Sequence, residues 1–325
     1  SIMPIVVNSN ASATTASFNL SRANDALRKS LGRLSSGNRI NTPADDAGGL
    51  SVAYKLNSKA NRTSAILQNT QNSLSYLQVQ DSGLQTAGKI VDRMSELRVM
   101  AQDITKNSQD IENYSKEFVE LQSQLNQVSK EKFNGISLFS SDSTTASGTL
   151  ISGTGSYNDG SGTAQTYNTF ARTLITHDSG ESSAGSVSIN VINFQFMLSI
   201  GTIDSGNGAT AVDLGNIDGA NTGTGIDNGF ISDITHVAVS QFTAIIEKIA
   251  DMRAENGAEQ NRITQTMDLL QSNLTNIEAA HGRIMDTDIA LESTRFARHN
   301  ILVQASAAMT AQANQLTNVA LQLIG

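Results

Sequence analysis

The sequence predicts a mainly α-helical protein: a long antiparallel coiled-coil or helical-bundle rod formed by the N- and C-terminal segments, with a small β-rich outer domain inserted between them. Three observations predict this fold. Apolar side chains recur at helical spacing in both flanks. The stretch 141–235 holds 15 of the 25 Gly residues and a single basic residue, Arg172. Both Pro residues, Pro4 and Pro43, lie near the start, so no proline interrupts the helices predicted after residue 43.

Composition excludes several classes of protein. The 325 residues include no Cys, which excludes a disulfide framework, a thiolate metal site and a Cys nucleophile. No apolar run is long enough for a transmembrane helix. A formal net charge of −8 argues against a nucleic-acid surface, because phosphate binding needs clustered Lys and Arg. The first residues lack the basic region and apolar core of a cleavable signal peptide.

The sequence carries no signature of catalysis. Its four His residues are dispersed, and no metalloprotease H-E-x-x-H, hydrolase G-x-S-x-G or phosphate-binding P-loop string occurs. We therefore predict a protein that is not an enzyme and that uses neither a cofactor nor a metal.

Two apolar stripes in the N-terminal flank step alternately by three and four residues, which is the spacing of coiled-coil seams. The stripes are Ile90, Met94, Leu97, Ala101 and Ile104, and then Ile111, Tyr114, Phe118, Leu121, Leu125 and Val128. The seam residues predicted from them are Ile90, Leu97, Phe118, Leu121 and Leu125. Thr42-Pro43-Ala44-Asp45 predicts where the long helix begins, with Thr42 as its N-cap.

The C-terminal flank repeats this pattern. The stripe Phe242, Ile245, Ile249 and Met252 lapses at Asn256 and Glu259, and it resumes at Ile263. The predicted seam residues here are Ile263, Leu270, Leu274 and Ile277. Seams so far apart in the sequence predict an antiparallel bundle in which both chain ends lie together.

The two chain ends carry no charge. Neither residues 1–21 nor residues 299–325 contain Asp, Glu, Lys or Arg. One face of the last stretch carries Leu302, Met309, Leu316 and Leu323, with several Gln residues interleaved. Amides at that density disfavour a membrane helix, so we expect burial against other protein helices.

Within the insert the period changes to two. Val187, Ile189 and Val191 alternate with polar residues, and the alternation continues in the opposite phase from Ile192 to Ile200. This pattern predicts half-buried strands with a bulge or turn near residues 191–192.

Two groups of short motifs stand at opposite ends of the chain. Those near the start are Leu34-Ser35-Ser36-Gly37, Arg39-Ile40-Asn41, Ala44-Asp45-Asp46-Ala47-Gly48-Gly49-Leu50 and Phe133-Asn134-Gly135. Those near the end are Arg283-Ile284, Asp286, Asp288, Glu292, Ile301-Leu302, Gln304-Ala305 and Ala311-Gln312-Ala313-Asn314-Gln315. Together they resemble the N- and C-terminal signatures of bacterial flagellins. The resemblance covers about residues 5–140 and 236–325 and stops at the insert.

The resemblance implies a structural subunit that self-assembles into the helical flagellar filament, the propeller used for motility. It implies an inner-core helix with a connecting spoke (1–42), a coiled-coil shell (43–140, which includes a β turn, and 236–290), a variable β-rich surface insert (141–235) and a C-terminal inner-core helix (291–325). Its self-assembly core would contain Leu20, Leu27, Leu302, Met309, Leu316 and Leu323. The uncharged terminal helices should become ordered on polymerisation, since one such pair is too small a core to offset its ordering entropy.

The resemblance also implies a location and partners. We expect type III export without a cleavable signal peptide and assembly in an extracellular filament. The expected partners are other copies of the chain, an export chaperone, hook-junction proteins and a filament-cap protein. Neither nucleic acid nor membrane insertion is expected. A patch read by a flagellin-sensing Toll-like receptor is implied at Arg93, Leu97 and Glu117, although Leu97 also fits a purely structural role in the seam.

Three alternatives stay open at this point. A hook–filament junction protein would share similar terminal helices. A filament subunit could carry an adhesin in residues 141–235, or an enzymatic insert such as a metalloprotease, which the missing H-E-x-x-H string disfavours.

Overall fold

The computed structural model describes residues 9–141, 150–158, 164–202, 211–219 and 221–324. Its helices are α1 (Ala11–Ser36), α2 (Ala47–Met100), α3 (Ser108–Ser129), α4 (Phe194–Met197), α5 (Val239–Met285) and α6 (Ile289–Ile324). Its strands are β1 (Lys132–Phe133), β2 (Ile136–Ser137), β3 (Phe139–Ser140), β4 (Ile151–Asn158), β5 (Ala164–Ile175), β6 (Ser186–Asn193), β7 (Ser199–Thr202), β8 (Ala211–Asp213), β9 (Ile226–Asp227) and β10 (Phe230–Ile231). The predicted class, mainly helical with a small β-rich insert, is confirmed.

The chain divides into two compact units. The terminal unit takes residues up to 61 together with those from 274 onward, and the central unit takes residues 62–273. Helices α1 and α6 therefore belong to the terminal unit, whereas α3 and all of the strands belong to the central unit.

The predicted start of the long helix is wrong by four residues. Helix α2 begins at Ala47, and the carboxylate of Asp46 accepts a 2.8 Å hydrogen bond from the backbone N–H of Gly49. The carboxylate of Asp45 instead accepts from the N–H groups of Asn41 and Thr42, which closes a turn before the helix. Thr42 is therefore part of this turn, and the side chain that caps the helix is that of Asp46.

The first predicted stripe extends too far. Helix α2 ends at Met100, and α3 begins at Ser108 behind a capping box made by Asn107 and Asp110. Ile104 lies in the turns between the two helices and is fully exposed, so its predicted place in the seam is wrong. The spacing of the stripe continued by chance into the segment between the two helices. The strongest structural signal in that segment is the capping box that begins α3.

The central unit contains a four-stranded sheet with the order β3-β6-β5-β4. Strand β3 pairs in parallel with β6, and the other pairs are antiparallel. Strands β1 and β2 form a hairpin whose two turn residues, Asn134 and Gly135, have φ angles of 50° and 78°. This left-handed pair explains the Asn-Gly sequence of the motif, because few other residues adopt these angles without strain.

The strand predicted over residues 192–200 is interrupted. Strand β6 ends at Asn193, whose side chain accepts a 2.9 Å hydrogen bond from the N–H of Phe196 and starts the single helical turn α4. Phe194, Met197 and Leu198 are all fully buried, so this helical turn is itself part of the hydrophobic core. Alternation of apolar residues does not distinguish such a buried turn from a strand.

One hydrophobic core joins the insert to the helices of the central unit. It contains Leu84 of α2, Phe118 of α3 and Ile249 of α5 together with Val187 and Phe194 of the insert. Phe118 and Phe242 meet edge to face, with ring centroids 6.1 Å apart. The inner side of the insert is thus part of the same core as the seams.

Candidate functional site

Helices α1 and α6 pair in the terminal unit mainly through small side chains. Ala23, Ser30 and Ala313 are buried, whereas the larger apolar side chains of the two helices stay partly or largely exposed. The side-chain amide of Asn10 donates a 2.8 Å hydrogen bond to the carbonyl of Ala313. Ser30, near the end of α1, bonds to Glu292, near the start of α6, whereas Asn10 before α1 bonds to Ala313 late in α6. The two helices therefore run antiparallel.

A buried carboxylate lies at the other end of this pair. Glu292 is buried and accepts a 2.7 Å hydrogen bond from the hydroxyl of Ser30. The guanidinium groups of Arg295 and Arg33 lie 3.4 and 3.9 Å from the same carboxylate. The Nε of Arg33 is buried and has no hydrogen-bond partner among the described residues. Glu292 therefore compensates two cations and ties α1 to α6.

The turns that precede and follow these helices are hydrogen-bonded to each other. The N–H of Arg39 donates to the carbonyl of Met285, and its guanidinium donates to the carbonyl of Ile284 at 2.9 and 3.2 Å. The N–H of Thr287 donates to the carbonyl of Gly37 at 2.9 Å. Gly37 has a φ angle of 73°, which favours glycine at this C-cap.

The two groups of sequence motifs thus meet in space. Arg39 and Gly37 belong to the N-terminal group, while Ile284 and Glu292 belong to the C-terminal group. Sequence reasoning identified these residues only as matched strings and assigned them no structural role. Their spacing gave no signal of the contacts, because the partners lie more than 240 residues apart.

The residues predicted to form the self-assembly core differ in exposure. Leu20 and Leu27 are half-buried, Leu302 is 43% exposed and Met309 is 64% exposed. The side chains of Leu316 and Leu323 lie outside the described residues. Phe18, Leu31, Ile301 and Val319 are further large apolar groups exposed on α1 and α6. An exposed apolar surface of this extent on two paired helices is typical of an interface that another protein covers.

The predicted seam residues lie in α2, α3 and α5. The buried ones are Ile90, Leu97, Phe118, Leu125, Ile263 and Leu270. The half-buried ones are Leu121, Leu274 and Ile277. Their assignment as a functional coiled-coil seam stays a prediction.

Two of the three predicted receptor-patch residues meet directly. The Nε of Arg93 lies 2.8 Å from Oε1 of Glu117, and its NH1 lies 3.0 Å from Oε2 of Glu96. Both carboxylates stabilise the guanidinium and raise the pKa of Arg93. Leu97 is fully buried beneath this exposed ion-pair cluster. A role for these residues in receptor recognition stays a prediction.

The part of the chain that the structure describes contains no group of three or more His, Cys, Asp or Glu side chains arranged to hold a metal ion. None of its helices combines the length and the apolar character needed to cross a membrane.

Comparisons with known proteins agree at both ends of the chain. The model of the bacterial flagellin N-terminal helical region matches residues 7–144, and that of the bacterial flagellin C-terminal helical region matches residues 239–324. Together the two matches span more than half of the chain.

Relatives match over nearly the full length. The chain is 29% identical over 322 residues to the flagellar filament 33 kDa core protein of Treponema phagedenis, covering 98% of this chain and 100% of that protein. It is 28% identical over 322 residues to the flagellin of Bacillus subtilis (strain 168), covering 98% and 99%. A solved structure described as a flagellar hook-associated protein from Vibrio parahaemolyticus shares the fold, with a TM-score of 0.52, 16% identity and coverage of 74% of this chain and 100% of that chain.

The paired terminal helices, the motifs that meet between them and the two family matches lead to one conclusion. The chain belongs to the bacterial flagellin family, and it is a structural subunit of the flagellar filament.

Proposed function

We propose that the subunits polymerise through the exposed apolar faces of α1 and α6. The observation that carries this proposal is the exposure of Ile301, Leu302 and Met309 on a stretch that contains no charged residue. Burying such side chains is worth about 1.5–3 kcal/mol each, and a neighbouring copy presents the same apolar face. Leu20, Leu27, Leu316 and Leu323 are proposed to complete this core.

The proposed assembly couples polymerisation to ordering of the chain ends. The contact between α1 and α6 uses Ala and Ser side chains, which bury little apolar surface. Ordering a residue costs roughly 1–2 kcal/mol of backbone entropy, which so small a contact does not offset. Several copies stacked side by side cover the remaining faces and reverse this balance. The terminal helices would then be inner-core elements (1–42 and 291–325).

The rest of the chain would form the outer layers. In this proposal residues 43–140 and 236–290 build a shell around the core, and residues 141–235 face outward. Strand β4 supports the outward placement, since most of its residues are exposed. The subunit would act as a structural component without catalytic activity, and no cofactor enters the proposal.

A charge placed on the exposed face tests the mechanism. Met309→Glu should leave the helix content and melting temperature of the monomer nearly unchanged, because Met309 is already solvated, yet it should block polymerisation. Gln304→Glu introduces the same charge at an exposed position of the same helix and is the matched control. Sedimentation and electron microscopy of seeded assembly would measure the difference. Normal filaments from Met309→Glu would contradict the proposed interface.

We also propose that the subunit is exported unfolded and assembles outside the cell, with an export chaperone, hook-junction proteins and a filament-cap protein as partners. The absence of Cys supports passage through a narrow channel, because no disulfide has to be reduced first. Mass spectrometry of filaments sheared from intact cells tests the location. Recovery of the chain only from lysed cells would contradict assembly outside.

A further inference from the structure

The lapse in the C-terminal seam is a buried polar layer of the central unit. Gln80 of α2 is fully buried and Asn256 of α5 is 2% exposed. The Nδ2 of Asn256 donates a 2.8 Å hydrogen bond to Oε1 of Gln80 and a 3.2 Å bond to the carbonyl of Leu77. The amides therefore pair directly between the two helices.

The remaining atoms of both amides are also satisfied. The Nε2 of Gln80 donates to the carbonyls of Leu138 and Asn190 at 2.8 and 3.1 Å. The Oδ1 of Asn256 accepts a 2.6 Å hydrogen bond from Gln260. One layer thus connects α2 and α5 to strand β6 and to the segment before β3, and every bond in it except the one from Gln260, which lies within α5, depends on the axial position of the helices.

Apolar packing on both sides of this layer repeats every seven residues. The buried series on α5 is Phe242, Ile249, Asn256, Ile263 and Leu270. The buried series on α2 are Leu77, Leu84 and Val91, and Gln80, Ala87 and Met94. A slip of α5 by one heptad would place apolar residues opposite apolar residues again. The apolar part of the seam does not distinguish the native register from such a slip.

We propose that Gln80 and Asn256 form a register lock, which fixes the axial position of α5 against α2 and of the insert against both. After a slip of seven residues, Gln80 would face Ile249 or Ile263 and its buried amide would lose its partner. A buried polar group without a hydrogen-bond partner lowers the stability of the fold, whereas the apolar series would again face apolar residues after the slip. A buried amide in a seam is known to specify register at some cost in stability.

This inference goes beyond the proposed mode of polymerisation. It concerns the fold of one subunit, and it involves only residues of the central unit. A uniform register would give the central unit of every subunit the same fold, which a regular helical polymer needs. Failure of the register lock would leave the proposed interface of α1 and α6 untouched.

Engineered cysteine pairs can read the register, because the chain has no Cys of its own. Asp81 and Arg253 meet across the two helices at 2.8 Å, so Asp81→Cys with Arg253→Cys reports the native register. Lys89→Cys with Arg253→Cys, and Asp81→Cys with Ile246→Cys, report slips of about one heptad in the two directions. In the native register these pairs are roughly 11 Å out of alignment along the helix axis.

The test compares cross-linking by a bismaleimide with a short, rigid spacer in three backgrounds of the full-length monomer. With Gln80 and Asn256 unchanged, only the native pair should react efficiently. In the Gln80→Leu/Asn256→Leu background, yields of the slipped pairs should rise at least tenfold, while the melting temperature stays equal or increases. Slipped-pair yields that stay at the unchanged level in the folded double variant would overturn the proposal.

Two controls separate register from stability. Thr70→Val also removes a buried polar group from α2, but the hydroxyl of Thr70 donates to the carbonyl of Ile66 in its own helix, so slipped pairs should not react. The exchanged variant Gln80→Asn/Asn256→Gln keeps a pair of amides and should restore the native pattern. Slipped cross-links in the exchanged variant would contradict the proposal even if the double Leu variant does not fold.

Discussion

The hydroxyl of Ser30 donates a 2.7 Å hydrogen bond to Oε1 of Glu292, although the two residues are 262 positions apart. The bond joins α1 to α6 at a carboxylate that is almost wholly shielded from solvent and faces Arg33 and Arg295. Among the described residues of these two helices, Glu292 is the one charged side chain that is buried.

Removing this carboxylate should loosen the terminal pair. Glu292→Ala leaves the hydroxyl of Ser30 without its acceptor and two guanidinium groups without compensation, at a cost of about 1–3 kcal/mol. In the assembled filament, where this pair is proposed to be ordered, amide exchange in α1 and α6 should accelerate, while exchange in α3 stays unchanged. The control is Glu278→Ala, which removes an exposed carboxylate from the same unit. Equal exchange in both variants would show that Glu292 does not hold the pair.

The central unit should become less stable as the pH rises through the range in which Glu259 loses its proton. Burial, opposed by hydrogen bonds from the N–H of Asn190, raises the pKa of Glu259 from 4.5 to about 7. The folded state therefore binds this proton more tightly than the unfolded state. The stabilisation is complete below about pH 4.5 and is lost as the pH approaches about 7, for a total on the order of 3 kcal/mol.

Glu259→Gln should reduce this pH dependence, because the amide keeps an acceptor for Asn190 and does not ionise. Urea unfolding between pH 4.5 and 8 would measure the slope. Part of the slope should persist, since burial also raises the pKa of Asp213 to about 6. Glu247→Gln, at an exposed position of the same helix, is the control. An unchanged slope in Glu259→Gln would contradict the assignment.

Phe118 should be among the most costly single truncations. It is fully buried and meets Phe242 edge to face, so Phe118→Ala should lower the free energy of unfolding by about 3–5 kcal/mol. Glu120→Ala, two residues away on the exposed side of α3, should change it by less than about 0.5 kcal/mol. Thermal melting of the monomer would compare the two variants. A small decrease in the free energy of unfolding of Phe118→Ala would mean that neighbouring side chains fill the space left by the ring.

The ion-pair cluster on α2 and α3 gives a test of the receptor-patch prediction. Arg93→Glu reverses the charge beside Glu96 and Glu117, and we expect signalling through a flagellin-sensing Toll-like receptor to fall at least tenfold. Stability should change little, because exposed ion pairs are worth about 0–1 kcal/mol. Lys116→Glu reverses another exposed charge on α3 and serves as the control in a reporter-cell assay. Equal signalling by both variants would contradict a role for Arg93.

The long periodic helices could be predicted from the sequence, but the residues at which helices and turns begin could not. The stripe around Phe118 and the stripe beginning at Phe242 lie in α3 and α5, because repeated spacing over many residues leaves one face to bury. The predicted start of α2 and the strand predicted across α4 were wrong, since each element begins where one polar side chain, Asp46 or Asn193, accepts a hydrogen bond from a free N–H. A single hydrogen bond thus decides where each of these two elements begins.

Contacts between distant residues were also beyond sequence reasoning. The motif match selected Glu292 but could not show its contacts with Ser30 and Arg33, which follow from the pairing of the two chain ends. The same holds for Asn256, a polar interruption of the apolar stripe whose partner, Gln80, is visible only in the structure. The exposed face of α6 was partly predicted, because the charge-free stretch indicated the helix but not which side the pair leaves uncovered.

The bond from Asn10 to the carbonyl of Ala313 closes a loop of 303 positions. Closing a flexible loop of that length costs about 5 kcal/mol of chain entropy before any contact forms. The pairing of α1 with α6 cannot begin until synthesis has nearly finished, and it should be among the last events of folding. A newly made subunit would then pass through a period in which its two ends are not yet paired and are still free to be threaded.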